Sequence, residues 1–221
     1  MWAEEDVEES VVVSVLLLVV AIVELSCVGV LWARAAHLTR VLVLGVVGVG
    51  IAYDSAIFGL GSVIGEGALL HGLSVGRFVC HALLTPVLVL WAVDRVGAGA
   101  RWRRAAAVLT VLLVVWGVFG ELIRLRLVPR RFADTLRYTG ESASVPVAAL
   151  VVTVVLLAAG VVLWRAERLR FPVIGIVLLV VASGAAVSCP PLGNVGEAIM
   201  MVALTGAEVG ARGLAGRSRR V

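Results

Sequence analysis

The chain alternates long apolar runs with short arginine-bearing connectors, and no other feature narrows its possible folds as much. A helix needs roughly 20 apolar residues to cross the hydrocarbon core of a bilayer. Seven runs approach or reach that length: Val11–Ala33, Val41–Leu60, Arg77–Val93, Ala105–Leu122, Val145–Trp164, Phe171–Ser188 and about Val195–Ala211. The last carries Glu197, Glu208 and several glycines, so six spans plus a surface helix is the alternative. Lipid offers the backbone no hydrogen bonds, so each run is expected to be helical. Composition agrees. Of 221 residues, 61% are hydrophobic and 15% charged, with a mean hydropathy of +1.08; soluble domains run nearer about 45–50% and about 25%. The chain reads as one all-α, seven-helix polytopic membrane domain over 1–221, with an acidic leader (1–10) and a basic tail (212–221).

All 19 basic residues are arginine. Without lysine there is no Schiff-base retinal protein and no Walker-type phosphate loop. The net charge of +4 sits in connectors, where it reads as a topology signal and not as a nucleic-acid footprint. Cys27, Cys80 and Cys189 are too few for a disulfide framework, and a structural role is expected for each. With the N-terminus outside, the inner connectors hold Arg34 and Arg40, then Arg95, Arg101, Arg103 and Arg104, then Arg165, Arg168 and Arg170; the tail adds Arg212, Arg217, Arg219 and Arg220. That distribution favours an N-out, C-in arrangement, expected in a bacterial cytoplasmic membrane. The leader Glu4-Glu5-Asp6-Val7-Glu8-Glu9 is acidic where a secretory signal is basic, so the first span is expected to stay. One outer connector breaks the pattern with Arg124, Arg126, Arg130, Arg131 and Arg137. An anion-facing surface and ordinary scatter both fit it. No internal repeat is visible.

Ionisable groups inside spans are costly and mark functional candidates. In this topology Asp54 lies in the outer third of span two beside Tyr53, and Glu66 lies in the outer loop Gly61–Gly76. That loop is too apolar to be a solvated link and is expected to fold back over a pocket. Arg77 and His81, four residues apart, share a helix face, with Thr85 one turn on. Glu121 and Arg124 close span four. Glu197 opens span seven, whose face continues through Met201, Thr205 and Glu208. Glu24 is the deepest carboxylate. These groups outline an outward-opening pocket. Plainer readings stand beside it: an interfacial ion pair for Glu121 and Arg124, a helix N-terminus for Glu197, snorkelling for Arg77, solvation for Glu208, and a surface position for His37. Asp54 and Glu24 need a partner, and Arg77 or His81 is in reach of Asp54.

Several chemistries compete for this set. A zinc hydrolase wants about three His ligands, and only His71 and His81 share a side, with Asp54 or Glu66 to complete the site. A serine protease has only Ser62 near His81 and no nucleophile elbow. A lipid-, ion- or proton-handling protein would use polar groups at several depths, Glu24 and Glu208 included. Acid-initiated carbocation chemistry needs a carboxylic acid in an apolar pocket and aromatic faces for the cation. Tyr53, Phe58, Phe78, Trp91, Trp116 and Phe119 lie on the same spans as Asp54, His81 and Glu121.

The pair Tyr53-Asp54, the loop Ile64-Gly65-Glu66-Gly67 and the series Arg77-Phe78…His81…Thr85-Pro86 make the segment Ala52–Asp94 resemble the small seven-helix integral-membrane terpene cyclases of fungal meroterpenoid and bacterial indole-sesquiterpenoid pathways. The resemblance implies protonation of an alkene or epoxide on a prenylated, lipid-soluble substrate, without a metal or other cofactor. It puts the acid at Asp54 or Glu66. Glu24 is a further carboxylate of the expected site. Arg77 and His81 are expected to set the hydrogen-bond network, Tyr53, Trp91 and Trp116 to face the cation, and Phe58, Phe78, Glu121 and Glu197 to line the pocket. Expected partners are that substrate and membrane lipids, with no nucleic acid.

Overall fold

In a computed structural model, residues 11–141 and 146–218 are described, the side chains of 211–218 excepted. The acidic leader, Val145, Arg219 and Arg220 therefore fall outside what is described, as do the side chains of Arg212 and Arg217. The order is α1 (Val12–Arg34), α2 (Leu38–Ile64), α3 (Ala68–Leu84), α4 (Leu88–Arg95), α5 (Ala100–Trp116), β1 (Leu127–Phe132), β2 (Thr135–Gly140), α6 (Val147–Glu167), α7 (Phe171–Ala185) and α8 (Pro191–Ser218). Helix dominates, as the apolar runs require.

Five stretches are long and apolar enough to cross a membrane: α1, α2, α3 with α4, α5 with the turn that extends it, and α6; α7 is apolar but shorter. Pro86 lacks an N–H, and the α3–α4 rod tightens there into a 3-10 turn, Thr85–Val87, before continuing. α5 widens into a π turn, Gly117–Leu122, where Gly117 lies close against Ala82. The bundle core is aliphatic, with Leu31, Leu44, Leu88, Leu156, Leu163, Ile176 and Met201 among its buried residues. Large apolar side chains also cover the outside, including Val12, Val15, Val19 and Ile22 of α1 and Val177, Val180 and Val181 of α7. An apolar exterior of this extent suits lipid and not water, and the chain is compatible with an integral membrane protein.

Two expectations need correction. The segment Gly61–Gly76 does not fold back over a pocket. α2 runs on to Ile64, α3 starts at Ala68, and only Gly65–Gly67 turns, with positive φ at both glycines (79° and 159°). Helix lets this apolar stretch satisfy its own backbone, so no irregular segment is needed. The arginine-rich connector is not a plain loop either. It forms an antiparallel hairpin pairing Leu127 with Gly140 through to Phe132 with Thr135.

The hairpin is strapped onto the bundle. Asp134 accepts hydrogen bonds from the backbone N–H of Val13 (3.2 Å) and Ser14 (2.9 Å), capping α1 from a distant part of the chain. Burial alone would raise the Asp134 carboxyl, but these amide donors outweigh it and hold the group below its usual range. Ser62 donates to the Asp134 carbonyl, and His71 meets Tyr138 edge-on at 5.1 Å between ring centres. At the other end of the bundle, Arg40, Asp94, Arg95, Glu167 and Glu208 come together from α2, α4, α6 and α8.

Candidate functional site

Beneath the hairpin lies a buried polar cluster. Asp54 on α2 accepts from Arg77 Nε on α3 at 2.5 Å and from Asn194 Nδ2 on α8 at 2.6 Å. Asn194, the only asparagine in the chain, also donates to Ser55 at 3.1 Å. Both Asp54 oxygens are thus engaged, one by a charge-assisted bond. On the same α3 face, His81 Nε2 stands 3.5 Å from Glu197 Oε1, and its Nδ1 lies 3.4 Å from Thr85 Oγ1.

Two cavities meet at this pair. A polar one of about 270 Å³ is lined by Asp54, Arg77, Phe78, His81, Asn194 and Glu197, and by Arg137 and Tyr138 of β2. An apolar one of about 410 Å³ runs between α2, α3, α6, α7 and α8, lined by Val47, Ile51, Leu88, Leu150, Val152, Leu156, Val180 and Met200 among others. His81 and Glu197 line both. The volumes are in the range of small-molecule sites.

The remaining expected residues scatter. Glu24 is fully buried with the Ser55 hydroxyl beside its carboxylate, and the charges of Glu197 and Asp54 act on it. Phe58 is fully buried with two guanidiniums against its ring, Arg137 at 4.4 Å and Arg77 at 5.6 Å. Tyr53 donates to the Leu73 carbonyl at 2.8 Å and faces a lipid-side groove with Trp32 and Cys80. Glu121 lies in the π turn, with one buried oxygen lacking a hydrogen bond and His81 acting on it.

Glu66 is exposed in the glycine turn. Trp116 is 53% exposed on the outer face of α5, with Phe119 beyond it, where lipid-facing anchors sit. Trp91 is buried at the opposite end, donating through Nε1 to Glu208 at 3.1 Å. Glu208 is therefore not solvated: Arg40 and Arg95 flank it. Sequence reasoning missed Asn194 and Tyr138, and named Arg137 only as one of five connector arginines whose surface could face an anion. The lone asparagine within an apolar run was the one available signal for the first.

Asp54, His81 and Glu197 also offer three ligand atoms within 4.8 Å of one another. Their surroundings suit a cation poorly, because Arg77 and Arg137 line the same space and Asp54 is already saturated by donors. The arrangement defines a helical bundle with a half-buried His–Glu pair lining both a polar and an apolar cavity. No family model matches the chain, and neither a curated protein nor a solved structure matches it.

Proposed function

We propose that this protein is a membrane-embedded, cofactor-independent cyclase of a prenylated, lipid-soluble substrate, with Glu197 as the acid and His81 as its partner. The observation that carries the reading is that, among the described residues, these two alone line both cavities. A substrate with its chain in the aliphatic cavity and its polar end in the other would present its reactive segment to them. Glu197 gives its proton to an alkene carbon or epoxide oxygen. The cation is captured by a second double bond of the chain, closing a ring. A proton then leaves the carbon next to the final cation for His81, which returns it to Glu197. The product is an isomer of the substrate, and the pair ends as it began.

Asp54 is assigned a different part from the one its sequence position suggested. With Arg77 and Asn194 on its two oxygens it acts as a fixed anion that holds Arg77 and α8 in place. The apolar cavity is walled by aliphatic side chains, so the negative carboxylates, more than aromatic faces, would balance the migrating charge. Further parts of the proposal are that α7 and α8 complete seven spans, and that the hairpin end faces outside a bacterial cytoplasmic membrane, as the arginine distribution favours.

The test is mass-spectrometric product analysis. Detergent-solubilised protein is incubated with farnesylated and geranylated aromatics, as alkene and as epoxide, with EDTA present. An isomer of unchanged mass and shifted retention, made by wild type and lost in Glu197→Gln, is the expected result. Substrates returned untouched by folded protein overturn it. One observation favours a second reading, a proton path: Glu24 is fully buried near Asp54, Ser55 and Glu197 of the cluster, and near Cys27, which also meets Thr205 of α8. Proton flux in liposomes, abolished by Glu24→Gln, would support that alternative.

A further inference from the structure

The polar cavity holds more positive charge than its own carboxylates pair. Asp54 is matched to Arg77, and the Glu197–His81 pair adds no net charge whichever of the two holds their shared proton. Arg137 lines the cavity without a carboxylate partner among the described residues. Burial, and then the neighbouring Arg77 charge, push its guanidinium down to about 10, with Asp54 acting the other way. Arg77 is 7% exposed, and its buried Nη1 has no hydrogen-bond partner. A buried donor left unpaired is costly, and more so when charged, so such a group calls for an explanation. Both guanidiniums are held in place against the Phe58 ring, one from α3 and one from the hairpin.

We propose that the polar cavity is an oxyanion site, in which Arg77 and Arg137 grip a phosphate-class head group of the amphiphile whose chain fills the apolar cavity. The inference rests on reading the two cavities as one substrate site. Guanidiniums form flat forks of donors, and two forks from different elements suit a tetrahedral group with oxygens in several directions better than a planar carboxylate. Tyr138 and Thr139 of the same strand, and Asn194 across the cavity, also line the space. In this arrangement the head group is held and kept, while the acid–base pair at the cavity junction works on the chain.

The experiment is equilibrium binding to the full-length protein in detergent, read by tryptophan fluorescence, with no turnover required. The probes are farnesyl monophosphate, farnesyl diphosphate, farnesol, farnesoic acid and inorganic phosphate. Both prenyl phosphates are expected to bind about tenfold or more tightly than farnesol. Arg137→Gln should erase that advantage and leave farnesol unchanged, while Arg126→Gln, at an exposed position before the hairpin, should leave every affinity as it was. Equal binding of farnesol and the phosphates, or indifference to Arg137→Gln, overturns the proposal. So does inorganic phosphate or farnesoic acid binding as tightly as the prenyl phosphates. If the phosphates bind as expected but no isomer forms from any substrate, the head-group site stands and the cyclase reading fails alone.

Discussion

The bundle buries charge at both ends, and the two clusters are built differently. At the end away from the hairpin, Arg95 meets Glu167 through two bonds of 2.7 Å and the Ala207 carbonyl at 2.9 Å. Arg40 and Trp91 reach Glu208, and Asp94 lies between Arg40 and Arg103. Each charge there has an opposite charge beside it. At the hairpin end, Arg77 keeps a spare donor, and Arg137 lines the cavity with no ion pair to a carboxylate among the described residues. Both clusters bear the cost of desolvated charge. Both also hold buried donors without a hydrogen bond, but Arg40 Nε and Arg95 Nε stand 3.4 and 3.6 Å from carboxylate oxygens. The spare groups at the hairpin end have no such neighbour among the described residues, and charge left unmatched beside a cavity marks a site better than buried charge does.

The largest effect expected on this contrast is structural. Arg95→Ala strands Glu167 and leaves Glu208 to Arg40 and Trp91, and should cost about 3–5 kcal/mol in thermal or denaturant unfolding in detergent. A loss below about 1 kcal/mol would mean that the paired cluster does not brace the bundle. Next, Glu197→Gln should cut product formation by about 10²–10⁴-fold with little change in melting temperature. A large melting shift would instead class Glu197 with the bracing residues. Asp134→Ala removes the cap on α1 and should cost about 1 kcal/mol. Because the folded Asp134 carboxyl is depressed, its contribution is complete above the ordinary aspartate range and is lost as pH falls through the lower folded value. Acid unfolding profiles of wild type and Asp134→Ala should therefore converge at the acid limit. The smallest effect belongs to Trp116→Leu and Glu66→Gln, each within about 0.5 kcal/mol in stability and neutral in turnover. Lost turnover in either would draw the α5 face or the glycine turn back into the site.

The helices were legible because hydropathy runs depend only on neighbouring residues, and so was the likelihood that Asp54 needed Arg77 or His81. The pairing of Asp54 with Asn194, 140 positions away, was not, since no periodicity connects α2 to α8. Glu208 was misjudged for the same reason: its partners Arg40 and Arg95 read as connector charges until the chain ends were brought together. Trp91 and Trp116 share an apolar, aromatic character in sequence, yet one is 1% and the other 53% exposed. Helical phase relative to the neighbours decides that, and it needs the packing. The hairpin was hidden because its arginines resembled a topology exception, although Arg137, alone among them, turns into the cavity.

Gly61 gives the hairpin a particular place in this molecule. A Cβ at that position would collide with the Leu136 carbonyl, so β2 rests on α2 only because residue 61 has no side chain. Leu136 immediately precedes Arg137. Position 61 therefore works like the seat of a lid: adding a single methyl group would leave the bundle assembled while lifting its roof, and with it the charge that marks this cavity off from any other gap between apolar helices.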